Sequence, residues 1–120
     1  MKKELITQLR KTFEESAYEE QGVECWLARD LQRLLDYEEW RNFLNVIEKA
    51  KIACKNSRQD TNDHFVGVNK TIPMPKGASK EIDDFMLTRY ACYLIAQNGD
   101  PRKEQIASAQ SYFAIQKIIS

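Results

Sequence analysis

The chain has 120 residues, of which 42% are hydrophobic and 30% charged; no region is poor enough in apolar residues to be disordered throughout, and the length is that of one folded domain. No apolar run approaches the length of a membrane span, so no membrane association is expected. The formal net charge is zero, which excludes a uniformly basic nucleic-acid-binding protein, but residues 41–80 carry eight basic and three acidic side chains, a net of +5.

The three cysteines, Cys25, Cys54 and Cys92, are an odd number, and no two have the spacing of a metal-ligand pair. Each lies among apolar neighbours, where cysteine usually behaves as a small buried hydrophobic residue. The first residues lack the apolar core of a signal peptide. These features predict a protein of the reducing cytoplasm.

In the first half of the chain, apolar spacing predicts an amphipathic helix over 2–20, ended by Gly22. The short apolar segment 23–27 is expected to be an edge strand or a lead-in, and a short helix is expected over 28–35. The strongest helical pattern covers 38–56, and a polar loop follows over 56–63.

In the second half, residues 64–87 alternate like strands around two prolines, which predicts a β-hairpin with its turn near Pro73 and Gly77. Thr88 is a typical N-cap for an apolar helix over 89–97. Asn98 and Gly99 are expected to end that helix, since both tolerate the left-handed conformation.

The last helix is expected to start at Asp100, as its cap, with Pro101 at its first position, and to run to the end of the chain. The sequence therefore predicts a single α+β domain over 1–120, predominantly helical, with about five helices and a small β-hairpin.

Two candidate sites for chemistry are weak. The only histidine, His64, follows Asp63, and such a pair can act as a general base, but no nucleophile or third group accompanies it. A structural hydrogen bond is the favoured interpretation. Arg29 and Asp30 are interpreted as an ion pair or cap for the short helix in preference to a binding site.

Glu81, Asp83 and Asp84 could hold magnesium, but strand alternation would send the two aspartates to opposite faces. The sequence contains no phosphate-binding glycine loop, nucleophile elbow or dinucleotide fingerprint. We therefore predict no catalytic residue, no metal site, no cofactor and no enzymatic activity.

The basic middle of the chain is the leading candidate for a binding site. Lys51 and Lys55 share a helix face, and further bases follow in the loop and the hairpin. If the hairpin packs beside the long helix, these charges could converge on one nucleic-acid-binding surface, with a solvated face as the alternative. The predicted set is Lys51, Lys55, Arg58, Lys70, Lys76 and Lys80.

The last helix carries small residues that would permit close packing against another helix. Tyr112, Ile115 and Ile119 are expected to form an exposed stripe on it. That stripe predicts a partner interface, and specifically a homodimer.

Several segments carry a family resemblance. They are LTRYACYLIAQNGDPRKEQIA over 87–107, AQSYFA over 109–114, and upstream WLARDL over 26–31, LLDYEEWRNF over 34–43 and IEKAK over 47–51. Together these segments resemble the DNA-damage-inducible protein D family. That family is in turn similar to the N-terminal domain of phage antirepressors and baculovirus repeated-ORF proteins, the Bro-N domain.

The resemblance implies a Bro-N-like fold and a role in the bacterial SOS response. It implies DNA, or the recombinase filament that coats damaged DNA, as partners. By analogy with antirepressors, an alternative is a protein-interaction module that acts on that filament or on a repressor. Family members usually continue with a second half of similar size, so the chain is expected to be the N-terminal part of a longer protein.

Overall fold

The computed structural model describes residues 3–119, with side chains over 3–116, as six helices and a four-stranded antiparallel sheet. The α+β class is confirmed. The sheet is larger than the small hairpin predicted, and the additional helix is a single turn in the predicted loop. The elements are α1 (Lys3–Glu15), β1 (Tyr18–Glu20), β2 (Val23–Leu27), α2 (Ala28–Leu34), α3 (Trp40–Asn56), α4 (Thr61–His64), β3 (Phe65–Pro73), β4 (Ser79–Leu87), α5 (Arg89–Asn98) and α6 (Glu104–Ile119).

The sheet has the strand order β1-β2-β4-β3, and its longest pairing is the hairpin formed by β3 and β4. The turn contains one 3-10 turn, Pro75–Gly77, in which Lys76 and Gly77 adopt φ of 63° and 76°. β2 pairs with β4 at only two positions, opposite Leu87 and Met86. The hairpin therefore extends well beyond the other two strands.

The start of the chain differs from the prediction. The helix predicted over 2–20 ends at Glu15, and Tyr18–Glu20 forms β1. Gln21 and Gly22, with φ of 52° and 81°, turn the chain back so that β1 pairs with β2. The backbone hydrogen bonds of this pairing come from a second strand, so helical spacing alone could not reveal them.

Trp26 lies at the centre of the core and is fully buried. Its ring stacks on Phe13 of α1, with the centroids 4.4 Å apart, and its Nε1 donates a hydrogen bond of 2.8 Å to the Phe13 carbonyl. Phe113 of α6 packs edge-on against the same phenyl ring. These contacts hold α1 and α6 against the sheet.

The predicted cap of α5 is confirmed, because the Thr88 hydroxyl accepts a hydrogen bond from the Ala91 N–H. The predicted left-handed ending is wrong, since Gly99 has φ of −79°. Glycine is required there for space: a Cβ would lie 2.5 Å from Cδ1 of the buried Ile106.

The start of the last helix is also later than predicted. The Asp100 carboxylate accepts a hydrogen bond from the Arg102 N–H, as a helix cap would. This hydrogen bond lies within a turn, however, and α6 begins only at Glu104. All three cysteines are buried and unpaired, as predicted. No helix within residues 3–119 is long and apolar enough to cross a membrane.

Candidate functional site

The two faces of the β3–β4 hairpin differ in what covers them. Side chains alternate along each strand, and the register pairs even with even and odd with odd residues. Odd-numbered Phe65 and Leu87 are buried, and the Lys51 Nζ of α3 lies 4.6 Å from the centre of the Phe85 ring. We call this face the helix side. The even-numbered residues form what we call the open face, where Val66 is 41% exposed; on this face Asp84 is buried and accepts a hydrogen bond from the Arg29 N–H of α2.

The open face combines lysines with aliphatic side chains. Lys70 pairs with Ile82 and Ile72 with Lys80, so the two lysines are diagonal neighbours on the outer part of the hairpin. Apart from these two lysines, the even-numbered residues of the two strands are all apolar except Asp84, which is buried. The open face therefore presents positive charge and apolar surface without an exposed carboxylate. Lys76 is exposed at the turn.

The other three predicted bases lie elsewhere. Lys51 is on the helix side, where its Nζ is 3.6 Å from the Glu48 carboxylate. Lys55 and Arg58 are exposed at and just beyond the C-terminal end of α3. The hairpin does pack beside α3, where Lys51 contacts the Phe85 ring, and strand alternation places Lys70 and Lys80 on the face opposite Phe85. Three of the six predicted bases thus lie on α3 or just after it, and three lie on the hairpin and its turn.

A groove of about 360 Å³ lies between α3 and the hairpin. One wall is formed by Trp40, Leu44 and Glu48, and the other by residues 67–69 and 83–85. The guanidinium of Arg29 lies 4.1 Å from the centre of the Trp40 ring, and its Nε donates to the Asp83 carbonyl at 2.7 Å. The groove combines aromatic rings and carboxylates.

The three acidic residues of β4 are divided by strand alternation. Glu81 and Asp83 are exposed, whereas Asp84 is only 1% exposed. Asp84 Oδ1 accepts hydrogen bonds from the N–H groups of Arg29 and Phe85, at 3.1 and 2.8 Å. The first of these bonds caps α2, whose own N-cap residue provides no side-chain acceptor. Across residues 3–116, no three metal-ligating side chains lie close together.

His64 has structural partners. Its Nδ1 lies 2.7 Å from the Thr88 hydroxyl, and its ring packs edge-on against Tyr90. The backbone N–H of Thr88 donates to the His64 carbonyl. These contacts join the start of β3 to the start of α5, in agreement with the favoured structural interpretation of this residue.

Arg89 is the residue of greatest structural consequence that the sequence analysis missed. Its guanidinium donates two hydrogen bonds to the Glu14 carboxylate, at 2.7 and 3.0 Å, and two more to Glu24 at 3.2 Å. It also contacts Gln116 and lies 5.1 Å from the centre of the Trp26 ring. It therefore ties α1, β2, α5 and α6 together. As the only charged residue in a nearly apolar helix, it could have been recognised from the sequence.

Ion pairing and burial account for the pKa shifts at this centre. The hydrogen bonds from Arg89 hold the pKa of the Glu14 carboxyl below its ordinary value, and Glu14 raises the pKa of the Arg89 guanidinium. Burial, followed by the hydrogen bond to Glu14, raises the pKa of Tyr112. At neutral pH, Glu14 and Arg89 are therefore both charged and remain paired.

The predicted stripe on the last helix is partly wrong. Tyr112 is only 5% exposed, because its ring packs against Phe13 and its hydroxyl donates to the Glu14 carboxylate. Ile115 is exposed, at 51%. The side chain of Ile119 lies outside the described residues. Tyr112 is therefore too buried to contribute to the predicted partner interface, whereas Ile115 is exposed enough to do so.

Residues 16–114 match the family model described as "BRO family, N-terminal domain", which covers everything from the end of α1 into α6. The chain belongs to this family. The Bro-N chain is also 47% identical, over 95 residues, to the DNA damage-inducible protein D of Escherichia coli strain K12. That match covers 79% of the chain and 35% of the relative, so the chain spans about a third of the relative's length. No solved structure matches it. The resemblance seen in the sequence is confirmed.

Proposed function

We propose that this Bro-N chain is a non-enzymatic DNA-binding domain of a DNA-damage-response protein. The open face of the hairpin and the turn residue Lys76 contact the nucleic acid. The observation that carries the proposal is the separation of charge by strand alternation. Lys70 and Lys80 lie on one face of the hairpin, and the exposed acids Glu81 and Asp83 lie on the other face.

The shape of the hairpin supports this proposal. Two paired strands of nine residues are about 30 Å long at ~3.3 Å per residue. A two-stranded ribbon of that kind fits the major groove of DNA. Lysine ammonium groups bind phosphates without reading sequence, so the affinity of this surface is expected to depend strongly on salt and weakly on base order.

The similarity to a protein named for its induction by DNA damage supports the biological setting. The chain covers only about a third of that relative, so the role of the longer protein in the damage response is part of the proposal. Within that longer protein, we propose that this chain contacts the nucleic acid.

The proposal is tested by fluorescence anisotropy with labelled single- and double-stranded DNA over a salt series. A hairpin variant changes Lys70, Lys76 and Lys80 to Glu. If each lysine contacts one phosphate, the slope of log K against log salt should become shallower by about 2.7, from about 0.9 per contact, and affinity at low salt should fall more than about tenfold.

The matched control makes the same change of charge at exposed lysines outside the hairpin, Lys3, Lys11 and Lys49. It should alter affinity less than about threefold, as expected from long-range electrostatics alone. Equal losses in the two variants would refute contact by the hairpin. A loss confined to a variant of Lys51, Lys55 and Arg58 would move the interface to the end of α3.

A protein-interaction role is the second candidate, and the apolar part of the open face favours it. Val66 is 41% exposed, and Ile72, Ile82 and Met86 are half-buried on the same face. The partner would be the recombinase filament or a repressor. Absence of DNA binding at low salt, together with binding to a recombinase filament that Val66→Asp abolishes, would establish this role in place of the first.

A homodimer remains a separate prediction for the last helix, now with Ile115 as its exposed apolar residue. Light scattering at high concentration should give the mass of a dimer, and Ile115→Asp should reduce it to that of a monomer. A monomeric mass for the unchanged chain would refute the dimer.

A further inference from the structure

The groove between α3 and the hairpin has chemistry unlike that of the lysines on the open face. Its lining includes the aromatic rings of Trp40 and Phe85 and the carboxylates of Glu48 and Asp83. A volume of about 360 Å³ lies at the lower end of the range for small-ligand sites, about 300–1,000 Å³. This groove can accommodate a single side chain from another molecule.

We propose that this groove binds an arginine side chain presented by a protein partner. The guanidinium would pair with the carboxylates and contact the aromatic rings beside the cations that already lie over them, Arg29 at Trp40 and Lys51 at Phe85. The site is separate from the proposed DNA contact, because its lining does not include Lys70, Lys76 or Lys80.

The aromatic walls already bind cations within the chain. The Arg29 guanidinium carbon lies 4.1 Å from the centre of the Trp40 ring, and the Lys51 Nζ lies 4.6 Å from the centre of the Phe85 ring. Both distances fall within the ~6 Å range of cation–π attraction. The rings are therefore placed where their negative faces meet positive charge.

The carboxylates leave negative charge available in the groove. The Asp83 carboxylate is exposed and, within the described part of the chain, has no hydrogen bond or ion pair. Asp84 also lines the groove, and its Oδ2 is buried with no hydrogen-bond partner among the described residues. Only two backbone N–H groups bond to Asp84, through Oδ1. An incoming cation would offset this charge.

The groove also has room above β3. A Cβ added to Gly67 would meet no atom within 4 Å, so the backbone there is open to an approaching side chain. Guanidinium suits the site better than a nucleotide, because phosphate would be repelled by Glu48 and Asp83. The two neighbouring cations are already engaged, Lys51 with Glu48 and Arg29 with the Asp83 carbonyl.

The experiment uses the indole N–H signals of the two tryptophans in a proton–nitrogen NMR spectrum. Trp40 lines the groove and Trp26 is fully buried, so one signal reports binding and the other reports folding. The probe is acetyl-Gly-Arg-Gly-amide. The matched neutral probe replaces arginine with citrulline, which has nearly the same shape and no charge.

The arginine peptide should shift the Trp40 signal in a saturable way, with at least about tenfold higher affinity than the citrulline peptide, as expected for charge-assisted contacts. A Glu48→Gln, Asp83→Asn variant should weaken binding about tenfold and leave the Trp26 signal in place. A Glu4→Gln, Glu15→Gln variant makes the same change of charge at exposed positions on α1 and should bind as the unchanged chain does.

Three results would overturn the proposal. They are equal binding of the two peptides, unchanged binding by the Glu48→Gln, Asp83→Asn variant, and a Trp40 shift caused by thymidine monophosphate but not by the arginine peptide. The last would show that the groove is a nucleotide site. None of them bears on the DNA contact of the open face, which the anisotropy experiment measures separately.

Discussion

Replacement of Gly99 by alanine tests how tightly α5 and α6 pack. The new Cβ would lie 2.5 Å from Ile106 Cδ1 and 3.2 Å from its Cγ1 and Cγ2. Ordinary contacts between carbons are about 3.5–4.0 Å, so the isoleucine side chain must move by about 1 Å within a fully buried site. Overpacking of this kind costs about 1–3 kcal/mol. It outweighs the ~0.4–1 kcal/mol that alanine gains over glycine by restricting the unfolded chain, so the free energy of unfolding should fall.

The assay is urea unfolding, with Gly67→Ala as the control, because a Cβ at Gly67 would meet no atom within 4 Å. That control should be neutral or slightly stabilising. Ile106→Val removes the methyl group nearest to the new Cβ and should cost about 0.5–1.5 kcal/mol on its own. The double variant Gly99→Ala, Ile106→Val should be more stable than the sum of the two changes predicts, by at least about 0.5 kcal/mol. A Gly99→Ala variant as stable as the Gly67→Ala control, or strictly additive effects, would refute the reasoning.

Two further predictions concern ionised groups. Because Arg89 holds the pKa of Glu14 below its ordinary value, this pair stabilises the fold at neutral pH, and the stabilisation is lost as pH falls below about 4.5. Arg89→Met should therefore lower stability at neutral pH and flatten its acid dependence in urea unfolding; an unchanged acid profile would contradict this. Asp84→Ala removes the acceptor for the Arg29 and Phe85 N–H groups and should cost about 1–3 kcal/mol. The exposed neighbour provides the control, since Asp83→Ala should cost less than about 0.5 kcal/mol, and equal effects would show that the cap is unimportant.

Elements defined by short-range patterns were predicted from the sequence. The apolar stripe of α3 follows from helical periodicity, and the Thr88 cap from the side chain of a single residue. The hairpin turn follows from two prolines and a glycine, because proline restricts φ and glycine accepts positive φ. In each case the forces that decide the structure act between residues a few positions apart.

Elements that depend on distant partners were not predicted. Tyr18–Glu20 continues a helical pattern but is held as a strand by β2. Gly99 resembles a left-handed helix ending, yet glycine is required because Ile106 occupies the space of a Cβ. Tyr112 was expected on an exposed stripe, and its burial depends on Phe13 and Glu14 of α1, about a hundred positions away. No local pattern contains this information.

The candidate site shows the same division. The sequence by itself determined which residues are basic and, through strand alternation, that Asp83 and Asp84 lie on opposite faces of their strand. Only the tertiary structure set the register that places Lys70 and Lys80 on one face of the hairpin and Asp83 on the other, and brought α3 beside the hairpin to form the acidic, aromatic groove. The alternation of side chains is a property of the strand backbone, whereas the choice of the covered face depends on how apolar residues distant in the chain pack into one core.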